Sequence, residues 1–491
     1  MAATPIIYDI ATRPLLEKYA QGPLNSLTEL QKKEVHDKAS DELVVRVRSG
    51  EIWFPFQRYF RGNPRELFEN LKTIELPVTY GPYRLRSYYP QYGTYMPPQF
   101  RGVPTTIEGI NSYAKADVLS DLFIEHIRLK SRRYDQIRSI LECWIVDSCL
   151  KEILLAALQK DHITPQTLRA TIYETIPETR IFNPTWAIAA LKLVMGLNLT
   201  RKRWLDMSAG WGDRLLAAMA LDMDYIGFDP NIELQPGHNE MISSFGDPKR
   251  HRIIYEPFEK ATIPDGPYDV VFSSPPYFTI EEYAPGQEGQ SIVSYPSYNQ
   301  WMVWFLFASL TKAWENLKEG GYLILHLGDA KTIKTTEPAN IFIENNLPGA
   351  SWEGVIGMKG ESGFPRPIWV WRKVHKGAPK RTWEPMGTRI PAPGQRGPLP
   401  FSQRTLFNTY PELQSELVNY YAAKYAPNYV IRKSNAGAIR DHVAVALPRI
   451  SRESIDKILS DDLMISSLLE TLGVDDTIKW STAMVRLAFP R

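Results

Sequence analysis

The chain has only two cysteines in 491 residues, Cys143 and Cys149. They stand six apart in a stretch that reads as one helix, where that spacing sends them to different faces. Neither a disulfide framework nor a cysteine-built zinc site is therefore expected. The eight histidines are dispersed without metal-like spacing, so no metal site is expected either. No run of about 18 apolar residues occurs, and the opening MAATPIIYDIATRPLLEKYA lacks the basic start and apolar stretch of a secretory signal. A soluble, intracellular protein that engages no membrane is the expectation. An excess of one charge is missing as well. Lys+Arg 57 against Asp+Glu 55 leave a net charge of +2, so affinity for a polyanion would have to come from local patches.

Proline, tyrosine and tryptophan are plentiful, at 38, 25 and 13 residues, and imply many turns and aromatic surfaces. Residues 1–180 read as an α+β N-terminal domain. Within it lies an aromatic, arginine and proline segment from Trp53 to Arg101, followed by a long helical stretch from about Lys115 to Lys160. The cluster Arg128, Lys130, Arg132, Arg133 is either a solvated face or a phosphate contact. From 181 to 376, short buried strands alternate with helices, the pattern of a doubly wound α/β sheet. Candidate strands end at Asp206, Asp229, Tyr255, Phe272 and Leu327, and a hairpin around 354–356 and 368–371 closes the sheet. Residues 377–405 are Gly/Pro/Arg-rich linker, and 406–491 read as a small helical module.

Three strand ends carry chemistry. Leu205-Asp206-Met207-Ser208-Ala209-Gly210-Trp211-Gly212 is a glycine turn between strand and helix, able to bring backbone close to a ligand. It matches neither G-x-G-x-x-G nor Gly-Lys-Ser/Thr, so neither a dinucleotide nor a triphosphate is the natural ligand. Phe228-Asp229-Pro230 ends the next strand with a carboxylate placed for a ribose diol. Ser273-Ser274-Pro275-Pro276-Tyr277-Phe278 ends a third strand. Its prolines remove two N–H donors and leave carbonyls and the Ser274 hydroxyl as acceptors beside an aromatic ring, which suits a planar NH2 group.

This ordered trio resembles the S-adenosylmethionine-dependent amino-methyltransferases that act on adenine N6 or cytosine N4 of nucleic acids, with a motif order similar to their gamma group. The resemblance covers residues 181–373. It implies a class I methyltransferase fold, a Rossmann-like seven-stranded sheet, with S-adenosylmethionine as cofactor and DNA or RNA as partner. Carried over, Asp206, Ala209, Gly210 and Gly212 surround the methionine part of the cofactor, Asp229 its ribose, and Phe258 or Glu259 its adenine. Ser274, Pro275, Pro276 and Tyr277 form the catalytic loop, and Phe278 accompanies the substrate. A protein glutamine methyltransferase and a non-catalytic subunit that keeps the fold are the alternatives.

Outside the trio, His326 and Asp329 follow the fifth strand and read as the satisfied polar end of a buried strand. Glu281-Glu282-Tyr283 to Pro296 is either a lid or a surface loop. Arg84 and Arg86, interleaved with tyrosines, are candidate contacts to a polynucleotide.

Overall fold

The computed structural model describes residues 8–56, 63–80, 105–108, 114–133, 138–264, 266–329, 333–359 and 365–375, together with 406, 410–413, 416, 417 and 420. Apolar runs punctuated by polar strand ends become one large sheet. Its strands are β1 (Val78–Tyr80), β2 (Thr105–Glu108), β3 (Arg203–Asp206), β4 (Asp224–Phe228), β5 (His251–Ile254), β6 (Tyr268–Ser273), β7 (Leu317–His326), β8 (Ala350–Lys359) and β9 (Arg366–Lys373). They lie in the order β1-β2-β8-β9-β7-β6-β3-β4-β5. The run from β5 to β7 is parallel, and β9 is antiparallel to both β7 and β8. Counted from β3, the order is 3-2-1-4-5-7-6 with one reversed strand, which fits the class I methyltransferase fold that the resemblance implies.

Among the described residues the sheet has nine strands where seven were expected. β2 pairs in parallel with the end of β8, and β1 pairs with β2, so N-terminal sequence covers part of an edge that would otherwise present unpaired backbone groups. Successive strand residues feed opposite faces. Trp204, Val270, Phe272 and Ile324 join the core packed under the helix Asp213–Ala220, while Leu205, Val271, Leu323 and Leu325 join the core built on Trp301–Asn316.

The cores do not divide at residue 180. Helices Pro64–Thr73 and Asp121–Arg128 pack into the sheet's own core, whereas residues 8–56 and 129–176 contribute to a separate helical core. The expected long helix from Lys115 to Lys160 is also broken. Ala114–Asp117, Asp121–Arg128, Ile140–Ile145 and Asp147–Ala157 are distinct helices, with Ser139 capping the third. Val146 is extended between the last two, and that break undoes the helical spacing of the cysteines. Cys143 and Cys149 come to a Cα–Cα distance of 4.9 Å and form a disulfide, contrary to expectation.

The described part of the C-terminal region is not a separate module. Leu406, Tyr410, Leu413, Leu417 and Tyr420, spaced as one helical stripe, are buried in the core beneath Trp301–Asn316. Trp304 Nε1 donates to Glu416 at 2.8 Å, and the Tyr410 hydroxyl donates to Glu337. The linker 377–405 lies outside the described residues. No described helix is long and apolar enough to cross a membrane.

Candidate active site

The carboxyl ends of β3, β4, β6 and β7 meet where the strand order reverses, between β3 and β6, which is where open α/β sheets hold ligands. One cavity opens there, and Gly210, Asp229, Ser274, Pro276, Tyr277 and His326 all line it.

At its β3–β4 end, Gly210 takes a φ of +58°, which a side chain would strain, and turns its N–H onto Asp229 Oδ2 at 2.9 Å. The N–H of Asn231 donates to Asp229 Oδ1, also at 2.9 Å. Both oxygens are thereby oriented from the backbone side. Burial, opposed by these two N–H groups, pushes the Asp229 carboxyl up to about 6. His238 braces the same turn from the helix Gln235–Phe245. It lies fully buried, 3.0 Å from the Gly210 carbonyl through Nε2 and 3.0 Å from the Tyr255 hydroxyl through Nδ1. Burial lowers its pKa to about 4, so the neutral ring donates to the carbonyl and accepts from the tyrosine. Pro257, Phe258 and Ile292 give this end apolar walls, and Glu259 adds an acceptor that Tyr295 contacts at 3.2 Å.

Three residues expected around a cofactor stand behind the cavity instead. Asp206 is completely buried. Its Oδ2 accepts from Arg214 Nε at 2.7 Å and from the Tyr225 hydroxyl at 2.8 Å, and its Oδ1 from the Ser208 N–H at 3.2 Å. Arg214 also donates to the Ser208 carbonyl. Asp206 therefore shapes the turn through Arg214 and does not face a ligand. Ala209 packs its N–H onto the Phe228 carbonyl at 2.7 Å. Gly212, at φ +90°, starts the helix Asp213–Ala220, and a Cβ there would come within 2.8 Å of Met241 Sδ.

At the β6–β7 end, Ser274 Oγ lies 2.9 Å and Tyr277 Oη 2.8 Å from His326 Nδ1. The tyrosine hydroxyl also reaches the His326 carbonyl at 3.2 Å. Sequence reasoning set His326 aside as a satisfied strand end; it ties the two hydroxyls of the Ser-Pro-Pro-Tyr loop together. Burial, then Arg366 and Arg214, hold its pKa well below the ordinary histidine value, so the ring is neutral. Pro275 is buried and does not line the cavity. Phe278 does not line it either. With φ at +51° it turns away to pack against Trp301 and Tyr298, ring centroids 5.7 and 6.0 Å apart, which is a core role and not a substrate contact.

The loop after the tetrapeptide is pinned from the N-terminal region. Glu281–Glu282 pairs antiparallel with Arg132–Arg133. Arg132 Nη1 lies 3.3 Å from Glu282, and Arg133 Nε lies 3.5 Å from Glu281. Three members of the basic cluster are thus spent internally: Arg132 as above, Arg128 buried between Asp121 and Glu178, and Lys130, which reaches Glu233 at 2.7 Å, while Arg133 also lines the cavity. Asp329 accepts from the backbone N–H groups of Thr335 and Thr336 at 2.7 and 2.9 Å, a capping role. Arg84 and Arg86 lie outside the described residues.

No protein-family model and no curated protein matches the chain. Among solved structures it is similar to TrmN from Thermus thermophilus, at 18% identity, covering 39% of this chain and 49% of that one, with a TM-score of 0.28. It is also similar to a SAM-dependent O-methyltransferase from Thermotoga maritima, at 14% identity, 40% and 68% coverage and a TM-score of 0.26. A third is the O-methyltransferase of a trans-AT PKS multienzyme of Brevibacillus brevis in complex with S-adenosyl-L-homocysteine, at 15% identity, 32% and 48% coverage and a TM-score of 0.23. The similarity spans about half the length of the first and third of these chains.

Proposed function

We propose that this chain is a methyltransferase that moves a methyl group from S-adenosylmethionine to an exocyclic amino nitrogen of a base in DNA or RNA. The observation that carries this reading is the single cavity joining the Asp229 end to the Ser274–Tyr277–His326 end. Its residues fit the cofactor: Asp229 for the ribose hydroxyls, Phe258 and Pro257 for the faces of adenine, Glu259 for its amine, and the open backbone at Gly210 for the methionine part. S-adenosylmethionine supplies a methyl group on a positively charged sulfur, so no nucleophile on the enzyme is required.

The chain's own residues have then to hold the amine and accept its proton. With the neutral imidazole protonated at Nδ1, that N–H donates to Ser274 Oγ and Tyr277 Oη, the tyrosine hydroxyl donates to the His326 carbonyl, and the Ser274 oxygen keeps a lone pair for the cavity. An amine hydrogen-bonded to that oxygen has its nitrogen lone pair less committed to the ring. The proton released on transfer sits on a strongly acidic methylated amine and leaves by way of the Ser274 oxygen to solvent. Positioning of this kind can supply roughly 7–11 kcal/mol in well-oriented systems.

Incubating the protein with radiolabelled cofactor and separate DNA, RNA and protein pools tests the reading. Label is expected on an exocyclic amine of digested nucleic acid. Label on glutamine would redirect it to protein substrates, and cofactor binding without transfer to any pool would leave a scaffold.

A binding prediction follows at the other end. Asp229→Ala should weaken S-adenosylhomocysteine by roughly ten- to a hundredfold, about 1.5–3 kcal/mol, because the hydroxyls lose a charged acceptor. In the wild type the ionised form is the better acceptor, so affinity should be full well above the Asp229 value of about 6 and be lost as pH falls through it. Calorimetry across pH 5–8 that shows a flat profile in the wild type would remove Asp229 from the site.

A further inference from the structure

Charge is unbalanced at the catalytic end of the cavity. Arg133, Arg180, Arg214 and Arg366 line it. The nearby carboxylates are already engaged. Asp206 holds Arg214, and Asp213 accepts the Ser120 hydroxyl at 2.6 Å and the Phe182 N–H at 3.4 Å. Glu281 lies beside Arg133 and accepts the Tyr283 hydroxyl at 2.6 Å. Arg366, at the start of β9, makes no side-chain hydrogen bond or ion pair among the described residues. Its guanidinium carbon lies 5.3 Å from the centroid of the Trp186 ring. Burial, and then the fields of Arg180 and Arg133, opposed by those of Tyr277 and Glu281, draw its pKa below the ordinary arginine value. A guanidinium held over an indole ring and without a side-chain hydrogen bond among the described residues has N–H groups left to meet two oxygens at once. A half-buried cation with two cationic neighbours is costly unless an anion completes the group.

The geometry points to an oxyanion subsite centred on Arg366, with Arg133 and Arg180 beside it, adjoining the Ser274–Tyr277–His326 cluster. It deepens the proposed function and rests on it for the identity of the anion: the phosphate of the target nucleotide, or the carboxylate of the cofactor's amino acid. β9 is antiparallel to β7, and His326 pairs with Ile368, two residues beyond Arg366. That register sets Arg366 just past the carboxyl end of β7, next to where the amine is held.

The test uses the full-length protein with Arg366→Gln and Arg180→Gln, the latter at an exposed rim position where folding is least at risk. Calorimetry first compares S-adenosylhomocysteine with 5′-methylthioadenosine, which lacks the amino acid. With the protein loaded with S-adenosylhomocysteine, it then compares AMP with adenosine and CMP with cytidine. The wild type should prefer the carboxylate- or phosphate-bearing member of at least one comparison by about tenfold or more. R366Q should abolish that preference and R180Q should reduce it, since charge-assisted bonds to oxyanions are among the stronger ones. Loss in the nucleotide comparison assigns the subsite to substrate phosphate, and loss in the first comparison assigns it to the cofactor carboxylate. No preference in the wild type, or preferences unchanged in both folded variants, overturns the subsite. If nucleic-acid pools take no label while R366Q still loses its preference for S-adenosylhomocysteine, the subsite stands and the nucleic-acid reading fails.

Discussion

Arg214→Ala is expected to destabilise the folded chain by about 3–5 kcal/mol, the usual cost of breaking a buried ion pair from one side. Asp206 is completely buried, and Arg214 is the cation that balances it. Without the guanidinium, the carboxylate keeps only the Tyr225 hydroxyl and the Ser208 N–H, while its charge stays out of water. The Ser208 carbonyl loses its partner at the same time, so the turn that carries Gly210 loses its brace. Urea denaturation should show the loss. The double variant Asp206→Ala with Arg214→Ala should be more stable than the sum of the single effects implies, because no lone charge remains. Strict additivity, or an Arg214→Ala midpoint equal to wild type, would show that the pair does not hold this turn.

This pair shows what the sequence makes legible and what it leaves out. The strands were readable because buried parallel strands are apolar runs that stop at a polar residue: Asp206, Asp229, Ser273 and His326 stand at or next to such stops. Gly210, Asp229, Ser274 and Tyr277, singled out from those stops, line one cavity. Direction within the turn was not readable. Asp206 and Gly210 stand four residues apart, and only the path of the backbone decides that one faces Arg214 and the other the cavity. A signal for Arg214 did exist. Asp213–Ala220 is apolar almost all round, so it must be buried, and a buried helix carrying an arginine needs a carboxylate nearby.

Long-range pairings explain the other departures. β1 and β2 are short strands that belong to the sheet only because they meet the edge at β8. Arg128, Lys130 and Arg132 look like a polyanion contact until the chain folds Glu178, Glu233 and Glu282 back onto them. Arg366 sits in a hairpin strand about 40 residues after His326, and no local pattern places a residue of a reversed strand beside the end of its partner. The two cysteines failed through a local cause, the single extended residue Val146, which a helical periodicity overlooks.

At the chemical end of the cavity, Tyr277→Ala should lower turnover on the order of a hundredfold while S-adenosylhomocysteine affinity stays near wild type. That is the scale on which misplacing a reacting group by about 1 Å acts. The tyrosine supplies both a ring beside the cavity and a hydroxyl bonded to the His326 backbone, so Tyr277→Phe should retain more activity than Tyr277→Ala. Ser274→Ala removes the acceptor proposed for the amine and should lose turnover in the same range. His326→Ala releases both hydroxyls at once and should match the Ser274→Ala, Tyr277→Phe double variant instead of adding to it, as expected for groups that act as a unit. Because burial keeps the imidazole neutral, turnover at saturating cofactor should show no step near the ordinary histidine pKa between pH 6 and 8. Single-turnover rates measured alongside calorimetry separate these effects from binding. If Ser274→Ala or Tyr277→Ala loses cofactor affinity with its rate intact, the loop holds cofactor, and the amine must sit elsewhere in the cavity.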